Sequence, residues 1–185
     1  RVRSSAASDV YKRQLFVHMG ITYMTLLKIF TTMDIKHFLK SMAPVQLLGF
    51  STSSSGATLP VTMKRCEKDL GISEEISSFV LPLGATINMD GTALYQGVAA
   101  VFIAQAVGMD LTLANQFTIV ATAVLASIGT AAVPGAGIIM LIIILEAINV
   151  PSEGIALILG VDRILDMIRT CLLYTSDAAD DLTRV

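Results

Sequence analysis

An aspartate lies in the middle of a long apolar stretch, in the run Asn88–Thr92 (NMDGT). From Ile76 to Val107, Asp90 is the only formally charged side chain. The stretch is long enough to cross a bilayer, and a carboxylate at that depth costs about 2.5–3.5 kcal/mol on insertion scales. Asn88, Asp90 and the carbonyls freed by a helix break would supply hard oxygen ligands, which suit Na⁺. The alternative is an aspartate paired with a buried arginine for structure alone; the ion site is favoured because acids within membranes are usually functional.

A second constellation lies near the C-terminal end of the apolar region. Asp162, Asp166 and Arg169 are spaced to share one face of a helix. Arg169 offers a planar fork for a carboxylate, and Asp166 offers an anion for an ammonium group. Together they match a zwitterion with an additional acid, such as aspartate or glutamate. The alternative is an Asp166–Arg169 pair that only neutralises itself.

Two segments rich in small residues predict turns with exposed backbone groups. In the run Ser51–Gly56 (STSSSG), backbone N–H groups and the start of a helix expected near Thr58 suit a substrate carboxylate. The alternative is a plain serine-rich turn. The second segment, Ser127–Gly137 (SIGTAAVPGAG), combines glycine and proline in a way that predicts a mobile gate.

Hydrophobic periodicity predicts an all-α membrane protein. We expect the end of a spanning helix at 15–30, a helix pair at about 35–70 and an interrupted helix at about 73–107. A second helix pair follows at about 112–148, and a last helix at 151–170. A helix of ~14 residues covers about 21 Å, less than the roughly 30 Å hydrocarbon core. Both helix pairs are therefore predicted to be re-entrant hairpins whose tips are the two small-residue segments.

Charge and spacing predict that the two hairpins enter from opposite faces. Lysines and arginines flank the first hairpin, and none occurs between Met109 and Val161. By the positive-inside rule, the base of the first hairpin is cytoplasmic and that of the second is external. The same number of residues separates each tip from the following acid, Asp90 or Asp166. This is the pattern of an inverted repeat with a site at the membrane midplane.

The two ends differ from the body of the chain. The run Ser5–Gln14 back-translates to a transposase adapter used in sequencing libraries, and the reverse complement of that adapter encodes the run Cys171–Asp180. We therefore expect residues 1–14 and 171–185 to be adapter-derived tails. The alternative is two ordinary polar tails.

Composition excludes several other classes of protein. Hydrophobic residues make up 54% of the 185 residues, charged residues make up 15%, and the net charge is -2. These values indicate a membrane protein and give no electrostatic reason to expect nucleic acid as a partner. One of the two cysteines, Cys171, falls in a predicted tail, so neither a disulfide framework nor a zinc cluster is expected.

Four motifs, in this order along the chain, resemble the dicarboxylate/amino acid:cation symporter family, which includes glutamate transporters and their prokaryotic aspartate-transporting homologues. They are the serine-rich tip, Leu81–Tyr95 (LPLGATINMDGTALY), the Ser127–Gly137 tip and Asp166–Thr170 (DMIRT). The resemblance covers about 15–170. It implies a partial elevator-type transport domain, a homotrimer in the full-length protein, and a multi-pass position in the plasma (inner) membrane of a prokaryote.

The resemblance also implies roles for individual residues. Arg169 would bind the side-chain carboxylate of the substrate, and Asp166 its amino group. Further substrate contacts would come from Thr92 and Thr170, and from the backbone at Ser54, Ser55, Val133 and Gly137. One set of Na⁺ ligands would be Gly84, Asn88 and Asp90. A second set would be Thr86, Ser127, Ile128 and Thr130.

Two departures from the family pattern affect coupling. The family has Asn where this chain has Leu173, and its following Asp coincides with Asp177 in the predicted tail, so one Na⁺ site is incomplete. Gln96 stands where proton-coupled animal transporters carry Glu, and an amide cannot titrate.

The leading hypothesis is a Na⁺-coupled symporter of acidic amino acids, with Na⁺ as the co-transported ion and membrane lipid as a partner. The near alternative is a proton-coupled carrier of dicarboxylates or glutamate. An alternative from another class is an intramembrane hydrolase that uses Ser55 or the Asp90/Asp166 pair. Against it, no histidine stands near either tip, and neither carboxylate has an identifiable activating partner. We expect the 185-residue chain alone not to transport.

Overall fold

The computed structural model describes the backbone of residues 2–183 and the side chains of residues 6–172. Within this part of the chain the fold is entirely helical, which confirms the predicted class of secondary structure. The α-helices are α1 (Val2–Val17), α2 (Met24–Phe30), α3 (Ile35–Thr52), α4 (Ser55–Asp69), α5 (Glu74–Ile87), α6 (Asp90–Ala106), α7 (Leu113–Ile128), α8 (Ala136–Ala147) and α9 (Ala156–Thr183). A π-helical turn, His18–Tyr23, joins α1 to α2, and a 3₁₀ turn, Ser152–Ile155, precedes α9.

Local sequence explains how the first helix pair turns. Ser53 adopts the left-handed conformation (φ 53°) and ends α3. The hydroxyl oxygen of Ser54 accepts a hydrogen bond from the backbone N–H of Ala57 at 3.2 Å, a typical N-cap for α4. The fourth helix therefore begins at Ser55, three residues before the expected start near Thr58. A serine cap explains the earlier start because it satisfies an N–H group that the first turn leaves without a helical partner.

The apolar residues form two clusters with α9 in contact with both. One cluster joins α6, α7, α8 and α9 around Ile103 and Leu141. The other joins α2, α3, α4 and α5 around Phe38 and Met42. Because α9 packs against α3, α5 and α6, its polar face lies where the two halves of the fold meet.

A close approach of α3 and α9 fixes the depth at which the polar face lies. A methyl group on Gly49 would come within 3.3 Å of the Thr170 carbonyl oxygen. The absence of a side chain at residue 49 therefore lets the two helices approach at this level, and Thr170 is buried there.

The predicted domain limits do not coincide with breaks in secondary structure. The limits at residues 14 and 170 both fall inside helices, α1 and α9, and the adapter-derived tails stay a prediction. The positions of Leu173 and Asp177 lie outside the residues whose side chains are described.

Across residues 2–183, no helix combines the length and the apolar character that crossing a membrane requires.

Candidate functional site

A cavity lies between the two helix-pair tips, the start of α6 and the polar face of α9. Of the residues predicted to contact substrate, the structure places Ser55, Thr92, Val133, Gly137, Asp166, Arg169 and Thr170 in its lining. Ser53, Met89 and Thr130 line it as well. The structure thus gathers residues from four helices and the turns next to them, separated by more than a hundred positions in sequence, around one space.

Asp166 and Arg169 form an ion pair within α9. Asp166 also accepts a hydrogen bond from the backbone N–H of Gly135, at the second tip, through its Oδ2 atom at 3.1 Å. The self-neutralising pair considered from the sequence is therefore present. It does not use all the donors, however, because Nη1 of Arg169 is buried without a hydrogen-bond partner among the described residues. Nη1 lies beside Gly137, where a methyl group would come within 3.3 Å of it.

Tyr95 of α6 packs against the Arg169 side chain of this pair. Its ring lies under the Arg169 guanidinium, with 5.1 Å between Cζ and the ring centroid. Its hydroxyl donates to Oδ1 of Asp162 at 2.5 Å. Asp162, which the helical spacing placed on the same face as Asp166 and Arg169, is thus bound to Tyr95 rather than directed into the cavity.

Ser54 joins the two tips instead of lining the cavity. Its hydroxyl donates to the carbonyl oxygen of Ala132 at 2.9 Å, and the backbone N–H of Gly56 donates to the same oxygen at 3.1 Å. The neighbouring Ser53 was not among the predicted substrate contacts. Its side chain is 3% exposed, and its hydroxyl has no partner among the described residues. The serine run predicted a turn at this tip. The left-handed conformation of Ser53 places the Ser53 hydroxyl, and not the Ser54 hydroxyl, beside the cavity.

The first predicted set of Na⁺ ligands lies at the helix break between α5 and α6 and in the last turn of α5 before it. The backbone N–H of Asn88 donates to the carbonyl oxygen of Gly84 at 2.9 Å and ends α5. Asp90 begins α6, and its Oδ1 atom accepts from the backbone N–H of Gly91 at 2.8 Å. Met89 and Gly91, which flank Asp90, line the cavity. The oxygen-rich character of this break fits a hard cation such as Na⁺.

Two residues at this break were missed by the sequence reasoning. Both His18 and Tyr23 contact Oδ2 of Asp90 through their side chains. His18 carries no recognisable ligand motif, and about seventy residues separate it from Asp90. No local signal could have revealed the contact.

The second predicted set of Na⁺ ligands is distributed over α5 and α7, which are in contact. Thr86 is exposed, and its hydroxyl donates to the Leu83 carbonyl oxygen of its own helix at 2.9 Å. Ser127 and Thr130 likewise donate to carbonyl oxygens one turn back in α7, each at 2.8 Å. Ile128 is the last residue of α7. The hydroxyl oxygens of Ser127 and Thr130 can still accept a bond, and they lie near the negative end of α7. Among the four residues of this set, only Thr130 lines the cavity.

Comparisons with known proteins identify the family to which the chain is similar. The family model described as "Sodium:dicarboxylate symporter family" matches residues 10–180. The chain is 46% identical over 164 residues to excitatory amino acid transporter 3 of Mus musculus, and 42% identical over 164 residues to an excitatory amino acid transporter of Caenorhabditis elegans. It is 44% identical over 163 residues to neutral amino acid transporter A of Bos taurus.

These alignments cover 88–89% of this chain but only 31–33% of each relative, so the chain spans about a third of their length. The three relatives come from animals and do not support the prokaryotic origin expected from the sequence. The family and the relatives are transporters and not enzymes, which excludes the hydrolase hypothesis. The chain belongs to the sodium:dicarboxylate symporter family.

Proposed function

We propose that the chain forms the substrate-binding part of a transporter that carries aspartate or glutamate together with Na⁺ across the plasma membrane. The observation that carries this proposal is Nη1 of Arg169, which is buried without a hydrogen-bond partner among the described residues, beside a cavity that Asp166 also lines. A donor buried without a partner costs about 1–3 kcal/mol, and more when it is charged. A substrate carboxylate in the cavity would remove that cost.

The three charged groups of the proposed substrate each have a matching partner. The side-chain carboxylate would bind Arg169, and the ammonium group would bind Asp166. The second carboxylate would meet the first tip, where α4 begins at Ser55 and no described residue bonds the Ser53 hydroxyl. Thr92, Val133, Gly137 and Thr170 are proposed to complete the contacts. Ser54 is proposed to contribute through its backbone.

The names of the relatives support an amino acid but leave its charge open. Two are described as excitatory amino acid transporters and one as a neutral amino acid transporter. We infer an acidic substrate because Arg169 presents a buried, positively charged donor, Nη1, which would pair with a side-chain carboxylate and finds no matching charge on an uncharged side chain.

Coupling to Na⁺ is proposed to use both predicted ligand sets. The first set comprises Gly84, Asn88 and Asp90, and the second comprises Thr86, Ser127, Ile128 and Thr130. The hydrogen bonds of the Ser54 hydroxyl and the Gly56 N–H to Ala132 tie the two tips together. We infer that the second tip is a gate, because it lines the cavity at Val133 and Gly137 and is held to the first tip by hydrogen bonds that can break and re-form.

We further propose an elevator mechanism in which this part of the transporter moves with its substrate. The helix pairs α3–α4 and α7–α8 are proposed to be the re-entrant hairpins of an inverted repeat. The scaffold against which they move, and the contacts of a homotrimer, would lie outside the 185 residues. Membrane lipid is the proposed environment of the apolar residues that the fold leaves exposed, such as Leu113 and Phe117.

The test uses a chimera of mouse excitatory amino acid transporter 3 in which residues 15–170 of this chain replace the matching segment. We expect the chimera, reconstituted in liposomes, to take up radiolabelled aspartate only when an inward Na⁺ gradient is present. Uptake that continues when choline replaces Na⁺, and that instead follows a proton gradient, would support the proton-coupled alternative. A chimera that inserts correctly but does not bind aspartate or glutamate contradicts the proposal.

A further inference from the structure

The π-helical turn His18–Tyr23 brings together two side chains that an ordinary helix would separate. In an α-helix, five residues advance by about 500°, which leaves residues 18 and 23 about 140° apart around the axis. The wider π turn places them on the same side, and π turns often occur at functional sites. The rings of His18 and Tyr23 meet edge to face, with 4.9 Å between their centroids.

Both side chains converge on one atom, Oδ2 of Asp90. The Tyr23 hydroxyl donates to it, and Tyr23 is 2% exposed. His18 contacts it through Nε2. The other ring nitrogen, Nδ1, lies 3.2 Å from the hydroxyl oxygen of Thr22. With Nδ1 accepting from Thr22, Nε2 is the nitrogen that donates to Asp90.

These donors leave Asp90 with one direction for a further partner. A carboxylate has about four lone-pair sites, two on each oxygen. His18 and Tyr23 occupy both sites of Oδ2, and the backbone N–H of Gly91 occupies one site of Oδ1 at 2.8 Å. Counting the described residues alone, one site on Oδ1 remains, on a side chain that begins α6 next to cavity-lining residues.

We propose that His18 and Tyr23 are positioning residues of a cation site at Asp90. They hold Oδ2, and thereby direct the free site of Oδ1 towards the cation. Hydrogen-bond donors behind a metal-binding carboxylate commonly change metal affinity by about 10- to 100-fold when they are removed. The inference rests on the proposed Na⁺-coupled function, and it adds residues from a separate helical segment to the ion site.

A competing effect has the opposite sign. If His18 and Tyr23 occupied an oxygen atom that Na⁺ itself needs, their removal would free that atom and strengthen Na⁺ binding. The direction of the change in Na⁺ affinity therefore distinguishes positioning from competition.

The experiment uses the purified chimera without substrate and measures Na⁺ binding as the Na⁺ concentration at which the melting temperature begins to rise, because stabilisation by a ligand grows with the logarithm of its concentration above the dissociation constant. We expect Tyr23→Phe and His18→Leu each to raise this concentration about 10- to 100-fold. His18→Gln, which retains an N–H donor, is expected to recover most of the affinity. His37→Leu is the matched control, because His37 is exposed on α3 and contacts the carbonyl oxygen of Asp69.

The possible outcomes separate failure of the proposed function from failure of the positioning role. If the unmutated chimera shows no response to Na⁺, the proposed function itself fails. If it responds normally and the Tyr23 and His18 variants keep or improve their Na⁺ affinity, only the positioning role is wrong. Loss of folding in Na⁺-free buffer, with no recovery in His18→Gln, shows a structural role and also overturns the proposal.

Discussion

Arg169 donates to the carboxylate of Asp166, three residues earlier in α9, and both side chains line the cavity between the two tips. The pair lies in a nearly dry environment, with side-chain exposures of 10% and 4%. Because Nη1 of Arg169 has no partner among the described residues, the pair is electrostatically balanced but incomplete in its hydrogen bonds. A zwitterion with a second carboxylate could bind Arg169 through that carboxylate and Asp166 through its ammonium group.

Replacement of Arg169 by lysine is expected to weaken aspartate binding by the chimera roughly 10- to 150-fold. Lysine keeps the charge but loses the second donor of the fork, and a hydrogen bond to a charged group contributes about 1.5–3 kcal/mol. Isothermal titration at saturating Na⁺ measures the change. Arg163→Lys is the matched control, since Arg163 is exposed on the same helix. Equal aspartate affinity for Arg169→Lys and Arg163→Lys would contradict the assigned role.

Replacement of Asp166 by asparagine is expected to lower the affinity for acidic amino acids but not the affinity for simple dicarboxylates. The variant loses the anion proposed to bind the ammonium group, so aspartate affinity should fall. Affinity for succinate, which has no ammonium group, should stay constant or rise because Arg169 is released from its pair. Competition of both ligands against labelled aspartate measures the two affinities, with Asp110→Asn in an exposed turn as control. A parallel loss for both ligands would count against an ammonium contact at Asp166.

Replacement of Ser54 by alanine is expected to loosen the contact between the tips. The variant loses the hydrogen bond to the Ala132 carbonyl oxygen, worth about 0.5–1.5 kcal/mol. It also loses the N-cap of α4, worth about 1 kcal/mol. We expect faster release of labelled aspartate, by roughly 2- to 12-fold from the first bond alone. Ser51→Ala is the control, because Ser51 is exposed and its hydroxyl bonds within α3. The same release rate in both variants would show that the Ser54–Ala132 hydrogen bond does not slow substrate release.

Replacement of Phe38 by alanine is expected to destabilise the fold by about 3–5 kcal/mol, since its side chain is fully buried in the α2–α5 cluster. The measurement is the thermal unfolding of the purified chimera in detergent. Phe79→Ala on α5 is the matched control, because that ring is 71% exposed and its loss leaves no cavity. If the two variants melt at the same temperature, the packing assigned to Phe38 is wrong.

Much of the site was readable from local patterns. The NMDGT run predicted a helix interruption, and the structure has one at Asn88–Met89, where α5 ends and α6 begins. The spacing of Asp166 and Arg169 predicted one helix face, and the cavity lies on that face. The same spacing could not show that the Asp162 side chain bonds Tyr95 and does not line the cavity, because Tyr95 belongs to another helix.

The sequence by itself determined the helical class of the fold, the positions at which helices must stop and the types of side chain available for binding. These properties depend on neighbours within about one helical turn, so a linear pattern records them. Only the tertiary structure decided that Ser54 bonds one tip to the other, that Arg169 keeps one donor without a partner in the described part of the chain, and that His18 and Tyr23 contact Asp90. Each of these depends on the packing of helices far apart in the chain, and the last depends on a π turn that rotates two side chains onto one side. Contacts of that kind have no period and no fixed spacing, so the order of the residues alone does not contain a visible sign of them.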